Sequence, residues 1–159
     1  MRKGFTLIEV IVSVSLLSLV AVGSMFAITI SLKSAARIKN NLIAANLAQE
    51  GMEVVRNIRD KDWHLGNSFG VSLPNGTYNI SWDSALPAPF SDIFLKKNLN
   101  GYYNYVAGAD TIFKRKIIIE NSAQNPSTVE KVVKVEITWQ EKGGIPKLIQ
   151  AEERLFNWQ

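Results

Sequence analysis

The chain contains no cysteine, which excludes disulfide bonds, thiolate metal sites and a cysteine nucleophile. Its single histidine, His64, has no serine and aspartate at a spacing that supports a catalytic arrangement, and it reads as a loop residue. All five prolines fall at or after Pro74, so a helix can run from Phe5 to about Arg59 without a break. The third absence is of charge: Val10 to Leu32 holds no Asp, Glu, Lys or Arg.

That charge-free run would form a helix of about 34 Å, enough to cross a hydrocarbon core of about 30 Å. Its β-branched residues do not argue against helix, because backbone in lipid must satisfy its own hydrogen bonds. Ser13, Ser15, Ser18 and Gly23 keep parts of its surface small, which permits close helix packing. The rest of the 159 residues has ordinary soluble composition and is long enough for one modest core. The net charge of +4 invites anionic partners, but Arg2 and Lys3 supply half of that excess.

Three readings of the N-terminus compete. A secretory signal peptide would have the basic start, and Ser34-Ala35-Ala36 would be its cleavage site, but its apolar stretch is usually about 7–15 residues. A plain single-span anchor accounts for the length and leaves Glu9 unexplained. An ionised carboxylate set into an apolar run costs several kcal/mol unless something compensates it, so an acid there is a functional candidate. The competing view places Glu9 at the headgroup boundary, simply solvated.

The residues Lys3-Gly4-Phe5-Thr6-Leu7-Ile8-Glu9 accommodate Glu9 in a third reading. They resemble the prepilin cleavage motif of type IV pilins and type II secretion pseudopilins: a basic residue, glycine, an aromatic or aliphatic residue, Ser/Thr, two apolar residues, then glutamate. The apolar run follows without a gap. The resemblance implies a leader of residues 1–4, with Arg2 and Lys3 as its basic residues. It implies cleavage between Gly4 and Phe5 by a prepilin peptidase, which then acts as N-methyltransferase on Phe5. Glycine before the scissile bond lets backbone approach the peptidase unhindered, although Gly4 would serve equally as an ordinary helix cap. The resemblance also implies that Glu9 faces the new Phe5 amine of a neighbouring subunit and so guides assembly.

The implied partners are the peptidase, other pilin or pseudopilin subunits, an inner-membrane assembly platform and membrane lipid. No cofactor and no metal is expected, and no enzyme activity. The implied location is the bacterial inner membrane, single-pass with the C-terminal domain outside the cytoplasm, and then the filament. Orientation comes from the resemblance alone: Arg2 and Lys3 before the span are balanced by Lys33, Arg37 and Lys39 after it.

After the membrane half (residues 5–32), residues 33–59 read as amphipathic helix, with Ile38, Leu42, Ala45, Ala48, Met52 and Val55 at helical spacing. Gly23 and Gly51 are candidate bends, and the stripe is too short for a coiled-coil stalk. Residues 60–159 read as a linker plus a globular domain. Asp60 to Pro74 lacks any period and reads as loop. Strand signals follow at Thr77–Trp82, with Tyr78, Ile80 and Trp82 apolar, then at Thr111–Glu120, Lys131–Gln140 and about Lys147–Asn157. Ala85–Pro89 reads as loop, and Gly143-Gly144-Ile145-Pro146 as a turn. In Thr111–Glu120 the apolar side is broken by Arg115. The expected class is α+β: a long N-terminal helix, transmembrane then amphipathic, packed on a C-terminal antiparallel sheet. This is the pilin fold that the resemblance implies.

Other constellations carry less. Asp60, Asp62, Glu152 and Glu153 lack the ligand spacing of a calcium loop and read as solvated carboxylates. Lys96, Lys97, Lys114, Arg115 and Lys116, with Tyr102, Tyr103 and Tyr105, suggest DNA contact, but a charged strand face explains them as well. The alternative to a filament subunit is a membrane-tethered, non-polymerising module that captures DNA or a surface.

Overall fold

A computed structural model describes residues 4–141 and 143–157, so the leader residues Arg2 and Lys3 lie outside the described residues. Among the described residues one helix, α1 (Leu7–His64), precedes eight strands. The chain divides into two compact units, Met1–Asn40 and Asn41–Gln159.

In the first unit α1 starts on a local device. Thr6 accepts the Glu9 N–H on its side-chain oxygen (3.3 Å) and on its carbonyl (3.1 Å), the role of an N-cap. From there to Leu32 the helix is apolar on all sides and is covered by no other part of the described chain: the large hydrophobic residues from Phe5 to Leu32 are all exposed. Its hydroxyls are not loose ends. Ser13, Ser15, Ser18, Ser24 and Thr29 each donate to the carbonyl four residues back, at 2.7–2.8 Å, so the side chains meet in advance the bonding demand that lipid imposes.

In the second unit the helix buries Ala44, Leu47, Ala48, Gly51, Met52, Val55, Ile58 and Asp62. The spacing is helical, but the buried stripe is rotated from the one the sequence suggests. Ile38, Leu42 and Ala45 are exposed, while Ala48, Met52 and Val55 are inside. The displacement follows from small residues. Gly51 presses so close to the sheet that a Cβ there would lie 3.1 Å from Val135 Cγ1 and 3.3 Å from Arg115 Cδ. The helix also outruns the expected Arg59 by more than a turn, so His64 ends it rather than lying in a loop.

The main sheet has the order β2-β1-β6-β7-β8 and is antiparallel at every pairing. Its strands are β1 (Gly76–Asn79), β2 (Ala88–Pro89), β6 (Lys114–Asn121), β7 (Glu130–Gln140) and β8 (Pro146–Phe156). In β7, Val133, Val135, Ile137 and Trp139 point inward, as alternation requires. Phe113, Ile117 and Ile119 join them, with Leu73, Ile80, Leu95 and Leu155 and the helix stripe, in one core. The β7–β8 turn uses Gly143 (φ +104°) and Gly144 (φ +75°), backbone angles that favour glycine. Two expectations fail here. β1 stops at Asn79, so Ile80 and Ser81 are buried and Trp82 is half exposed rather than on one inward face. Residues Ala88–Pro89 form a strand, not loop, because proline is tolerated at a sheet edge.

A second small sheet, in the order β4-β3-β5, pairs β3 (Lys96–Lys97) with β4 (Tyr103–Asn104) and β5 (Ala109–Asp110). Gly108 is needed there, since a Cβ would fall 2.3 Å from the Lys97 carbonyl oxygen.

Candidate functional site

The residues singled out at the N-terminus are contiguous, so their geometry is local. Gly4 is exposed, with nothing within 4 Å of where a Cβ would stand. Phe5 is 82% exposed and lies outside the helix. A peptide bond between two exposed, non-helical residues is open to another protein's cleft, whereas a bond inside the helix would be wrapped in its own hydrogen bonds. Thr6 closes the helix start, which the motif reading had left without a structural role. Threonine followed three residues later by glutamate is the pattern of a capping box.

Glu9 falls in the first turn of α1, where a negative charge faces the positive end of the helix dipole. That position moderates the charge without neutralising it, and Glu9 has no cationic partner among the described residues. Beyond it, α1 is the one described helix long and apolar enough to cross a membrane.

The other candidate residues do not assemble into a site. Among the described residues no group of three or more His, Cys, Asp or Glu is placed to hold a metal ion. Asp62 proves to be buried rather than a solvated surface carboxylate. It accepts from Ser72 N–H (2.9 Å), Ser72 hydroxyl (2.7 Å) and Asn67 amide (3.1 Å). Burial pushes its carboxyl upward, but those three donors outweigh it and hold the group below its ordinary value. Glu153 pairs with Arg56 at 2.7 Å, and Asp60 with Arg59 at 2.7 Å.

The basic run is split by strand geometry. Lys114 pairs with Asp92 (2.6 Å) and Lys116 with Glu136 (2.5 Å). Arg115 points inward, 1% exposed. Its guanidinium donates to Leu47 carbonyl (3.1 Å), Glu50 carboxylate (2.9 Å) and Ile80 carbonyl (2.6 Å), which ties helix, β6 and the end of β1 together. Lys97 stands over the Tyr103 ring at 5.7 Å, and Tyr102 packs against Trp82 at 5.2 Å between ring centroids.

A family model described as the prokaryotic N-terminal methylation motif matches residues 1–31. No curated protein and no solved structure matches the chain.

Proposed function

Because the chain is a type IV pilin-like protein, a pilin-type subunit of the kind that prepilin peptidase processes, we propose that it is a minor pilin or pseudopilin whose mechanism is assembly. The peptidase cuts between Gly4 and Phe5 and methylates the new Phe5 amine. Phe5–Leu32 holds the subunit in the inner membrane, domain outward, until an assembly platform draws that helix into a filament core. The observation that carries this reading is the unbroken passage from Lys3-Gly4-Phe5-Thr6-Leu7-Ile8-Glu9 into a helix whose large apolar side chains as far as Leu32 are all exposed. Such a surface requires lipid or other apolar helices around it.

Glu9 has the assembly role in this proposal. A carboxylate packed among apolar helices is tolerated when an opposite charge meets it, and a lone charge is penalised. The freed Phe5 amine of an adjacent subunit meets that need and fixes how far one subunit slides along another. Glu9→Gln is therefore expected to be cleaved at the wild-type rate and to enter filaments poorly. N-terminal mass spectrometry and filament fractionation read the two steps separately. A mature chain that begins at methylated Phe5 supports the reading. A retained Met1 overturns it in favour of a tethered module, and a cut after Ala36 in favour of a secreted one. Incorporation of Glu9→Gln at the wild-type level would remove Glu9 from the mechanism.

A further inference from the structure

β8 pairs with β7 along its whole length, from Gln140↔Pro146 to Glu130↔Phe156. It ends the sheet order, so no described strand pairs with its other edge. Which backbone groups that edge presents follows from the register. Asn157 N–H donates to Val129 carbonyl at 2.9 Å, and Glu141 N–H donates to Ile145 carbonyl at 3.1 Å. Odd-numbered positions of β8 therefore turn their backbone groups toward β7. By alternation, the N–H and C=O of Leu148, Gln150, Glu152 and Arg154 point away from the sheet. Edge strands are commonly short, bulged or broken by proline. β8 runs 11 residues and has proline only at its first position.

Beside this edge lies a groove of about 550 Å³ between α1 and β8. Ala45, Ala48 and Met52 of the helix and Ile149 and Ala151 of the strand form its apolar wall. The Arg56–Glu153 ion pair also lines it. The backbone row and the apolar channel run side by side, and an extended peptide satisfies both at once. Its backbone pairs with β8, and every second side chain falls into the groove.

We propose that the β8 edge and this groove form a docking site for an extended segment of another protein, added to the sheet as a further strand with small apolar side chains at alternate positions. Evenly spaced outward N–H and C=O groups are matched by a partner backbone in strand form. A helix has its own groups already paired, and lipid offers no backbone. A second copy of β8 is a poor occupant. Full antiparallel overlap would set Ile149 opposite Glu153 and Leu155 opposite Lys147, charge against apolar side chain at every inward pair except the central Ala151 with its copy. The alanines limit the entering side chains to small ones. This inference rests on the second unit alone and stands apart from cleavage at Gly4.

The test uses the full chain in detergent micelles and a synthetic peptide as long as β8, with alanine at every second position and threonine between, the small apolar pattern that the groove admits. Hydrogen exchange is expected to slow, saturably, at Leu148, Gln150, Glu152 and Arg154 and to stay unchanged at the odd-numbered amides. The same peptide N-methylated at alternate residues is expected to have no effect. Gln150→Pro removes an outward N–H and no β7–β8 bond, so it is expected to keep the thermal midpoint and lose the peptide effect. Absence of saturable slowing overturns the proposal. Equal slowing by the N-methylated peptide overturns it as well, because the groove alone would then be the binding element. Slowing without peptide that grows with protein concentration overturns it in favour of self-pairing.

Discussion

At Arg115 a guanidinium with no exposed side-chain surface serves three acceptors, two on α1 and one just past β1, and its charge is met by one carboxylate, Glu50, whose side chain is 31% exposed. Arginine suits this place because its planar fork reaches several acceptors at once, where a lysine ammonium acts as a point charge. Removing one partner of a buried pair leaves the other charge uncompensated, at a cost of about 3–5 kcal/mol. Glu50 is partly solvated, so Glu50→Ala is expected to fall near the low end, about 3 kcal/mol. Glu50→Gln, which keeps an acceptor but not the charge, is expected to lose less. Urea denaturation followed by tryptophan fluorescence checks this, with Trp139 reporting from inside the core. An unchanged midpoint for Glu50→Ala would take the ion pair out of the account of stability. The third guanidinium nitrogen, Nε, has no partner, which makes the residue costlier to desolvate and its two other nitrogens harder to replace.

At the scale of elements, acid lability follows from how two strand or helix ends are fastened. Asp62 ties the end of α1 to the Asn67–Ser72 loop. Glu130, fully buried at the start of β7, is held below its ordinary carboxylate value, chiefly by the Ser122 hydroxyl, then by the Asn125 amide and Arg154, against the upward push of burial. Both groups are depressed in the folded state, so each contributes stability that is complete above the unfolded value, about pH 4. That contribution is lost as pH falls through the lower folded value. The denaturation midpoint is therefore expected to hold from neutrality to about pH 5 and to drop below about pH 4. Asp62→Asn and Glu130→Gln should start from a lower midpoint and lose less on acidification. A double variant with the parent's acid slope would show that other carboxylates set it.

How well each element could be read from sequence tracks how much of its environment is local. β7 was plain because Val133, Val135, Ile137 and Trp139 fall at every second position and are buried in turn. The Gly143-Gly144 turn was plain because its backbone angles favour glycine. The cleavage motif was plain because its residues are contiguous. The end of α1 was not, because Asp62 finds its partners up to ten residues further on. Strands β2 to β5, two residues each, are too short to show any period. Arg115 showed only as a break in the apolar side of its strand. Its acceptors on Leu47, Glu50 and Ile80 lie 35 to 68 residues away, and no spacing rule connects them.

For the molecule as a whole, the anchor and the core make separate demands. Every hydrophobic residue of the core lies at or after Ala44, and the large apolar side chains from Phe5 to Leu32 bury nothing. Helices of this size depend on tertiary packing more than on intrinsic propensity, and the packing face of α1 from Ala44 to Ile58 is intact in residues 41–159. That fragment is expected to be soluble without detergent. It should unfold in a single cooperative transition, with a midpoint close to that of the full chain in micelles, by circular dichroism and tryptophan fluorescence. A molten fragment, with native helix content but no cooperative transition and with dye-accessible apolar surface, would mean that the first forty residues contribute to the core. A cooperative fragment would also sharpen the assignment of Glu9. Any assembly defect of Glu9→Gln in the full chain could then be ascribed to the apolar helix, because the unit that carries the sheet folds without it.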